Sequence, residues 1–158
     1  MAAWADITAE APELAAAVQA RFEAHGLGYM ATLRHDGSPR ISGIEPQFGA
    51  EVWLGMMPGS RKVVDLLHDP RLALHSANVD KDVQEGDAKI SGRAELLDEP
   101  RLEAFKDHVR AGGGAVPEGD FPLFRVDVRE VSFLRPAGDH LVIEWWREGD
   151  GLHRVERR

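Results

Sequence analysis

The chain contains no cysteine. Disulfides, thiolate nucleophiles and cysteine-ligated zinc or iron–sulfur centres are thereby excluded, and nothing ties the chain to an oxidising compartment. No run approaches the ~20 apolar residues of a membrane-spanning helix, and the N-terminus has no basic segment leading into an apolar stretch of signal length. The expected location is the cytoplasm. Positive charge is scarce, with 19 Lys and Arg against 27 Asp and Glu and a net charge of −8. A surface of that sign does not release the counterions of nucleic acid or of an anionic membrane, so neither is an expected partner. Any anionic ligand has to be held by a local pocket. The 7 histidines are scattered, with no i, i+4 pair and no His-Glu-x-x-His, and no metal site is expected. A P-loop and a Gly-x-Ser-x-Gly elbow are also missing.

What remains is an ordinary globular composition, 43% hydrophobic and 29% charged over 158 residues. That suits one domain, 1–158, able to bury its own core. The stretch from Trp53 to His75 organises it. An apolar strand breaks at Pro58-Gly59, Ser60-Arg61-Lys62 opens a short helix, Asp69-Pro70 stops it, and a strand resumes. At a helix start the first N–H groups lack intrahelical partners and the dipole is positive. A hydroxyl, a guanidinium fork and an ammonium arriving there together match a phosphate monoester. The competing reading is a solvated basic turn that merely begins a helix.

In chain order, Leu14, Val18 and Phe22 predict an amphipathic helix from about Thr8 to Ala24 within an N-terminal segment 1–26 packed on the body. Strands are expected at Leu27–Leu33, at Pro39 to about Gln47 after the His35-Asp36-Gly37-Ser38 turn, and at Glu51–Met56. Leu72–Asn78 and Ala88–Leu97 follow as strands, the second with Ala88, Ile90, Gly92, Ala94 and Leu96 on one side, and 79–86 between them is a polar loop. Asp98-Glu99-Pro100 opens a helix to about Ala111, and Gly112-Gly-Gly ends it. Leu123–Leu134 and His140–Arg147 are the last two strands, and Gly151–Arg158 either adds a short pairing or trails into solvent. Six or seven antiparallel strands with two or three helices predict a mainly β (α+β) small closed or nearly closed barrel.

The order of these pieces resembles the pyridoxamine 5'-phosphate oxidase-like superfamily, split β-barrels that bind FMN or a deazaflavin. Asp36-Gly-Ser-Pro-Arg40, Gly59-Ser-Arg-Lys62 with Asp69-Pro-Arg-Leu72, and Ile90-Ser-Gly-Arg-Ala-Glu95 carry the likeness, joined by Glu144-Trp-Trp146 with Leu152-His-Arg154. The resemblance implies Arg40, Ile41, Ser42 and Gly43 beside the flavin ring or ribityl chain, with Gly55 and Met56 at the end of the third strand. It implies Arg61 and Lys62 on the phosphate with Ser60 assisting, Trp146 reaching a flavin of the partner chain, and His153 near the substrate. It also implies a homodimer with the cofactor between subunits.

The chain departs from that pattern. Gly112 to Asp120 has none of the Tyr, Arg and Ser that grip a substrate phosphate in the true oxidases, Gly151 replaces an Arg, and Asp87 stands where a Gln contacts the ring. Oxidation of pyridoxamine phosphate is therefore not expected. The leading expectation is an FMN-dependent oxidoreductase acting on a small molecule, with no side chain named as acid or base. A deazaflavin-dependent reductase is the alternative, with Lys81, Lys89 and Arg93 available to its anionic tail or simply solvated. A non-catalytic flavin- or tetrapyrrole-binding module is the rival from another class. A scaffold without cofactor is the blandest reading. His75 reads as a cofactor neighbour or a core histidine, and one of Trp145 and Trp146 must face inward and the other outward.

Overall fold

The computed structural model describes residues 1–158. Two short helices, α1 (Trp4–Glu10) and α2 (Pro12–Glu23), precede the sheet. The expected single helix is broken because Pro12 forces the residue before it out of helical geometry, and Ala11 sits at φ −141° and ψ 64°. Thr8 thus belongs to α1, with its hydroxyl on the Trp4 carbonyl.

The strands are β1 (Gly28–Leu33), β2 (Pro39–Ile44), β3 (Gln47–Phe48), β4 (Val52–Gly55), β5 (Arg71–Ser76), β6 (Asp87–Leu96), β7 (Leu123–Ala137), β8 (His140–Arg147) and β9 (Gly151–Arg157). Helix α3 (Arg61–His68) lies between β4 and β5, and α4 (Glu99–Ala111) between β6 and β7. There are nine strands rather than six or seven, all antiparallel. The increase comes from the two-residue β3 and from the tail, which pairs along β8 as β9. Positive φ at Gly149 and Gly151 (both 78°) turns the chain back tightly enough for that pairing.

The order β2-β1-β5-β6-β7-β4-β3 leaves β2 and β3 as unpaired edges, and the long β7 also carries β8 and, through it, β9. This is a split-barrel α+β fold. Alternation along β1, β5 and β6 sends Met30, Leu74 and Ile90 inward, where all are at most 1% exposed. Leu14, Val18 and Phe22 of α2 pack on the same core, and Trp4 meets Phe48 edge-on at 5.0 Å. A smaller core of Trp53, Phe105 and Leu123 seats α4. Leu96 is half exposed, contrary to the inward side expected for it, because it ends β6 where the chain turns toward α4.

Candidate functional site

The split between the unpaired edge β2 and strand β4 is a cleft of about 530 Å³. Gly43, Ile44 and Glu45 form one wall, Gly55 to Pro58 the other, and Lys62 of α3 closes one end. Phe105 of α4 and Phe121 with Glu118 from the connection to β7 cover the far side. Lys62 donates its Nζ to the Gly43 carbonyl at 2.8 Å, so the start of α3 is tied to the β2 edge. The structure therefore brings Gly43, Gly55, Met56 and Lys62 to one cleft.

Ser60 occupies the N-cap position of α3, at φ −62° and ψ 151°, but its hydroxyl does not cap the helix. Its Oγ is buried without any hydrogen-bond partner. A buried hydroxyl without a partner carries a desolvation cost, which a ligand oxygen at this turn removes. Arg61 beside it is exposed and makes no ion pair, and its fork is free for a dianion. Gly43 and Gly55 have no positive φ, and a Cβ on either would meet only ordinary contacts at 3.9 and 3.8 Å. The chain's own packing does not require glycine at either place, yet both leave flat, open backbone toward the cleft. These features fit a ligand that carries a phosphate and a flat ring, the chemistry of a flavin mononucleotide.

Arg40 and Ser42 share the face of β2 opposite to Ile41. Arg40 donates Nε to Oδ2 of Asp65 at 2.7 Å, and the same oxygen accepts the Thr32 hydroxyl at 2.7 Å. Asp65 is 5% exposed. Burial would raise its pKa, but the hydrogen bonds from Arg40 and Thr32 outweigh burial and hold the carboxyl below its ordinary value. Arg40 thus clamps α3 to β2. Asp65 is a residue that sequence reasoning missed, although a carboxylate set between the inward Val63 and Leu66 of an amphipathic helix is a visible signal. Glu45, Phe105 and Phe121 were also missed, because only the tertiary fold brings them to the cleft.

Two expected site residues lie elsewhere. Trp146 is 2% exposed and donates Nε1 to Glu10 Oε2 at 2.7 Å, so it is a core residue under α1 and cannot reach a partner's flavin. Strand alternation turns Trp145 outward instead, where it stacks on His153 with centroids 5.3 Å apart and planes at 15°. His153 faces Asp150 Oδ2 at 3.0 Å and does not border the β2/β4 cleft.

Ile41 is 75% exposed on the outer face of the sheet. The register there aligns Gly43, Tyr29, His75, Lys89, Ser132 and Trp145 across six strands. Tyr29, Ile41, His75 and Lys89 border a second, shallower cleft of about 330 Å³ on this face. His75 puts Nε2 2.9 Å from Asp87 Oδ1, and is a polar residue of that face rather than of the β2/β4 cleft. Lys81 pairs with Asp82 at 2.6 Å in the 79–86 loop, and neither it nor Lys89 or Arg93 borders the β2/β4 cleft.

The family model for pyridoxamine 5'-phosphate oxidase matches residues 14–135. No curated protein matches the chain. Among solved structures, PhzG from Burkholderia lata 383, in complex with tetrahydrophenazine-1-carboxylic acid, superposes with a TM-score of 0.67 at 20% identity, covering 97% of this chain and 92% of that one. A pyridoxamine 5'-phosphate oxidase-related, FMN-binding protein from Nostoc punctiforme PCC 73102 gives 0.66 at 10% identity, with 94% and 96% covered. A heme binding protein from Mycobacterium smegmatis gives 0.59 at 16% identity, with 90% and 87% covered. At these identities the structures speak for the fold, whereas the family model spans most of the sheet and both strands of the cleft; the chain belongs to the pyridoxamine 5'-phosphate oxidase family.

Proposed function

We propose that the chain is an FMN-dependent oxidoreductase acting on a small molecule other than pyridoxamine phosphate. The observation that carries this reading is the orphaned Ser60 hydroxyl and the free Arg61, next in the chain to Lys62, which borders a cleft between two glycine-bearing strands. Bound FMN would supply the redox chemistry, and the protein supplies position, electrostatics and exclusion of water. Ser60, Arg61 and Lys62 hold the phosphate, and the backbone of Gly43 and Gly55 with the Met56 side chain lies against the ring. Phe105 and Phe121 keep water from the covered side.

FMN is favoured over a deazaflavin because the basic residues available to a longer anionic tail, Lys81, Lys89 and Arg93, do not border the cleft. Pyridoxamine phosphate is disfavoured because the covering segment offers Pro117, Glu118 and Phe121, with no cation to hold a second phosphate. Two chains pair through the β1–β2 part of the outer sheet face, where Tyr29 is 46% and Ile41 75% exposed, a solvation that a second copy would relieve. Titration of the cofactor-stripped protein with FMN and, in parallel, with the deazaflavin coenzyme tests the reading through quenching of ring fluorescence. Micromolar binding of FMN supports it, and binding of neither removes it. Steady turnover of NAD(P)H by the FMN-loaded protein separates an enzyme from a storage module.

A further inference from the structure

A second concentration of positive charge lies away from the cleft and shares no residue with it. Arg71 of β5 and Arg93 of β6 are direct cross-strand partners on the outer face. Like charges placed directly opposite each other weaken a sheet. A third guanidinium is added by a β-bulge: Gly92 pairs with Val128 and Ser91 with Glu130, so Arg129 between them has no partner on β6 and its side chain is re-aimed. The bulge brings the β7 backbone so close that a Cβ on Gly92 would sit 2.2 Å from the Asp127 carbonyl oxygen. The result is an open hollow of about 620 Å³ bordered by Arg71, Leu72, Ser91, Gly92, Arg93 and Arg129.

Two of the three forks are held in place by carboxylates. Arg71 donates Nε and Nη2 to Asp69, whose pKa these bonds lower to about 2. Arg129 donates to Asp127 at 2.7 Å and to Glu148 at 2.7 Å. Arg93 makes no ion pair of its own, although its charge reaches Asp69, which makes it the least compensated of the trio. In a chain of net charge −8, an Arg93 guanidinium that makes no ion pair, beside two arginines and a free Ser91 hydroxyl at an open hollow, can accept an anion.

We propose that this hollow binds the phosphate group of a small-molecule ligand, with Arg93 as the principal fork, Arg71 as the second and Ser91 as a hydroxyl donor. Planar guanidinium forks favour the bidentate geometry of phosphate. The site is independent of the flavin reading, since it stands on β5, β6 and the β7 bulge alone.

The test is thermal unfolding of wild type and Arg93→Gln in inorganic phosphate and in sodium chloride of equal ionic strength, which equalises screening. Both are repeated in Arg61→Ala/Lys62→Ala, so that phosphate bound at the α3 turn does not contribute. In chloride, Arg93→Gln should melt close to wild type, because Arg71 is already paired with Asp69. In phosphate, wild type should rise in both backgrounds and Arg93→Gln should not. A phosphate increment of equal size with and without Arg93, or no increment in either, overturns the proposal.

Discussion

Arg40 of β2 reaches across to α3 and donates its Nε to Asp65 Oδ2 at 2.7 Å, while Thr32 of β1 donates to the same oxygen. The pair joins the helix that opens with Ser60-Arg61-Lys62 to the edge strand that forms one wall of the cleft, so it sets where that turn stands.

The two partners are unequally buried, with Asp65 at 5% side-chain exposure and Arg40 at 21%. Removing Arg40 leaves the more deeply buried charge with Thr32 alone. Arg40→Ala should therefore cost about 3–4 kcal/mol and Asp65→Ala about 2 kcal/mol, in the range expected when one member of a buried pair is deleted. Urea unfolding with an unchanged m-value measures both. Equal, small losses would show that the pair is solvated and is no clamp.

The same carboxyl makes stability depend on acid. Its pKa is lower in the folded chain than unfolded, so the unfolded chain binds the proton more readily. The stabilisation is complete above the unfolded value of about 3.9 and is lost as pH falls through the lower folded value. Asp65→Asn should flatten the acid limb of a stability–pH curve between about pH 5 and 2 relative to wild type. An acid limb of the same slope in Asp65→Asn would assign it to other carboxylates.

Trp146→Phe should lower stability by about 1–3 kcal/mol, through lost packing and the lost bond to Glu10, and leave FMN affinity unchanged. Titration of the variant checks this, and a large fall in affinity without loss of stability would return Trp146 to the site. Trp145→Ala should leave the core intact, because that ring lies on the outer face against His153.

These contrasts show what the sequence carries and what it withholds. Strand alternation, turn residues and the Asp69-Pro70 stop made β1, β2, β5, β6 and α3 legible to within a few residues, because each depends on local chemistry. The Trp145-Trp146 alternation was legible too, but its phase was not: which ring goes inward depends on the pairing of Val131 with Trp146 and on the arrival of Glu10 from a distant helix. Ser60-Arg61-Lys62 at the start of α3 was readable as a run. Lys62 meeting Gly43, Asp65 meeting Arg40, and Phe105 and Phe121 covering the cleft are contacts between distant segments, and no spacing announces them.

Gly43 offers a separation of folding from binding. The nearest atom to an added Cβ is Leu27 Cδ1 at 3.9 Å, so Gly43→Val should fold with stability within about 1 kcal/mol of wild type. The branched side chain would fill space that the proposed ring position needs, and FMN affinity should fall at least about tenfold, roughly 1.4 kcal/mol. Undiminished affinity in a stable Gly43→Val would place the ring elsewhere.

The most direct test of the account is the FMN affinity of Arg61→Ala/Lys62→Ala against wild type, with riboflavin titrated in parallel. Loss of both phosphate-facing cations should weaken FMN by a hundredfold or more, about 2.7 kcal/mol or above, and leave riboflavin, which has no phosphate, nearly unaffected. Unchanged FMN affinity in the double variant would contradict the assignment of Ser60-Arg61-Lys62 as the phosphate site, and with it the reading of the cleft.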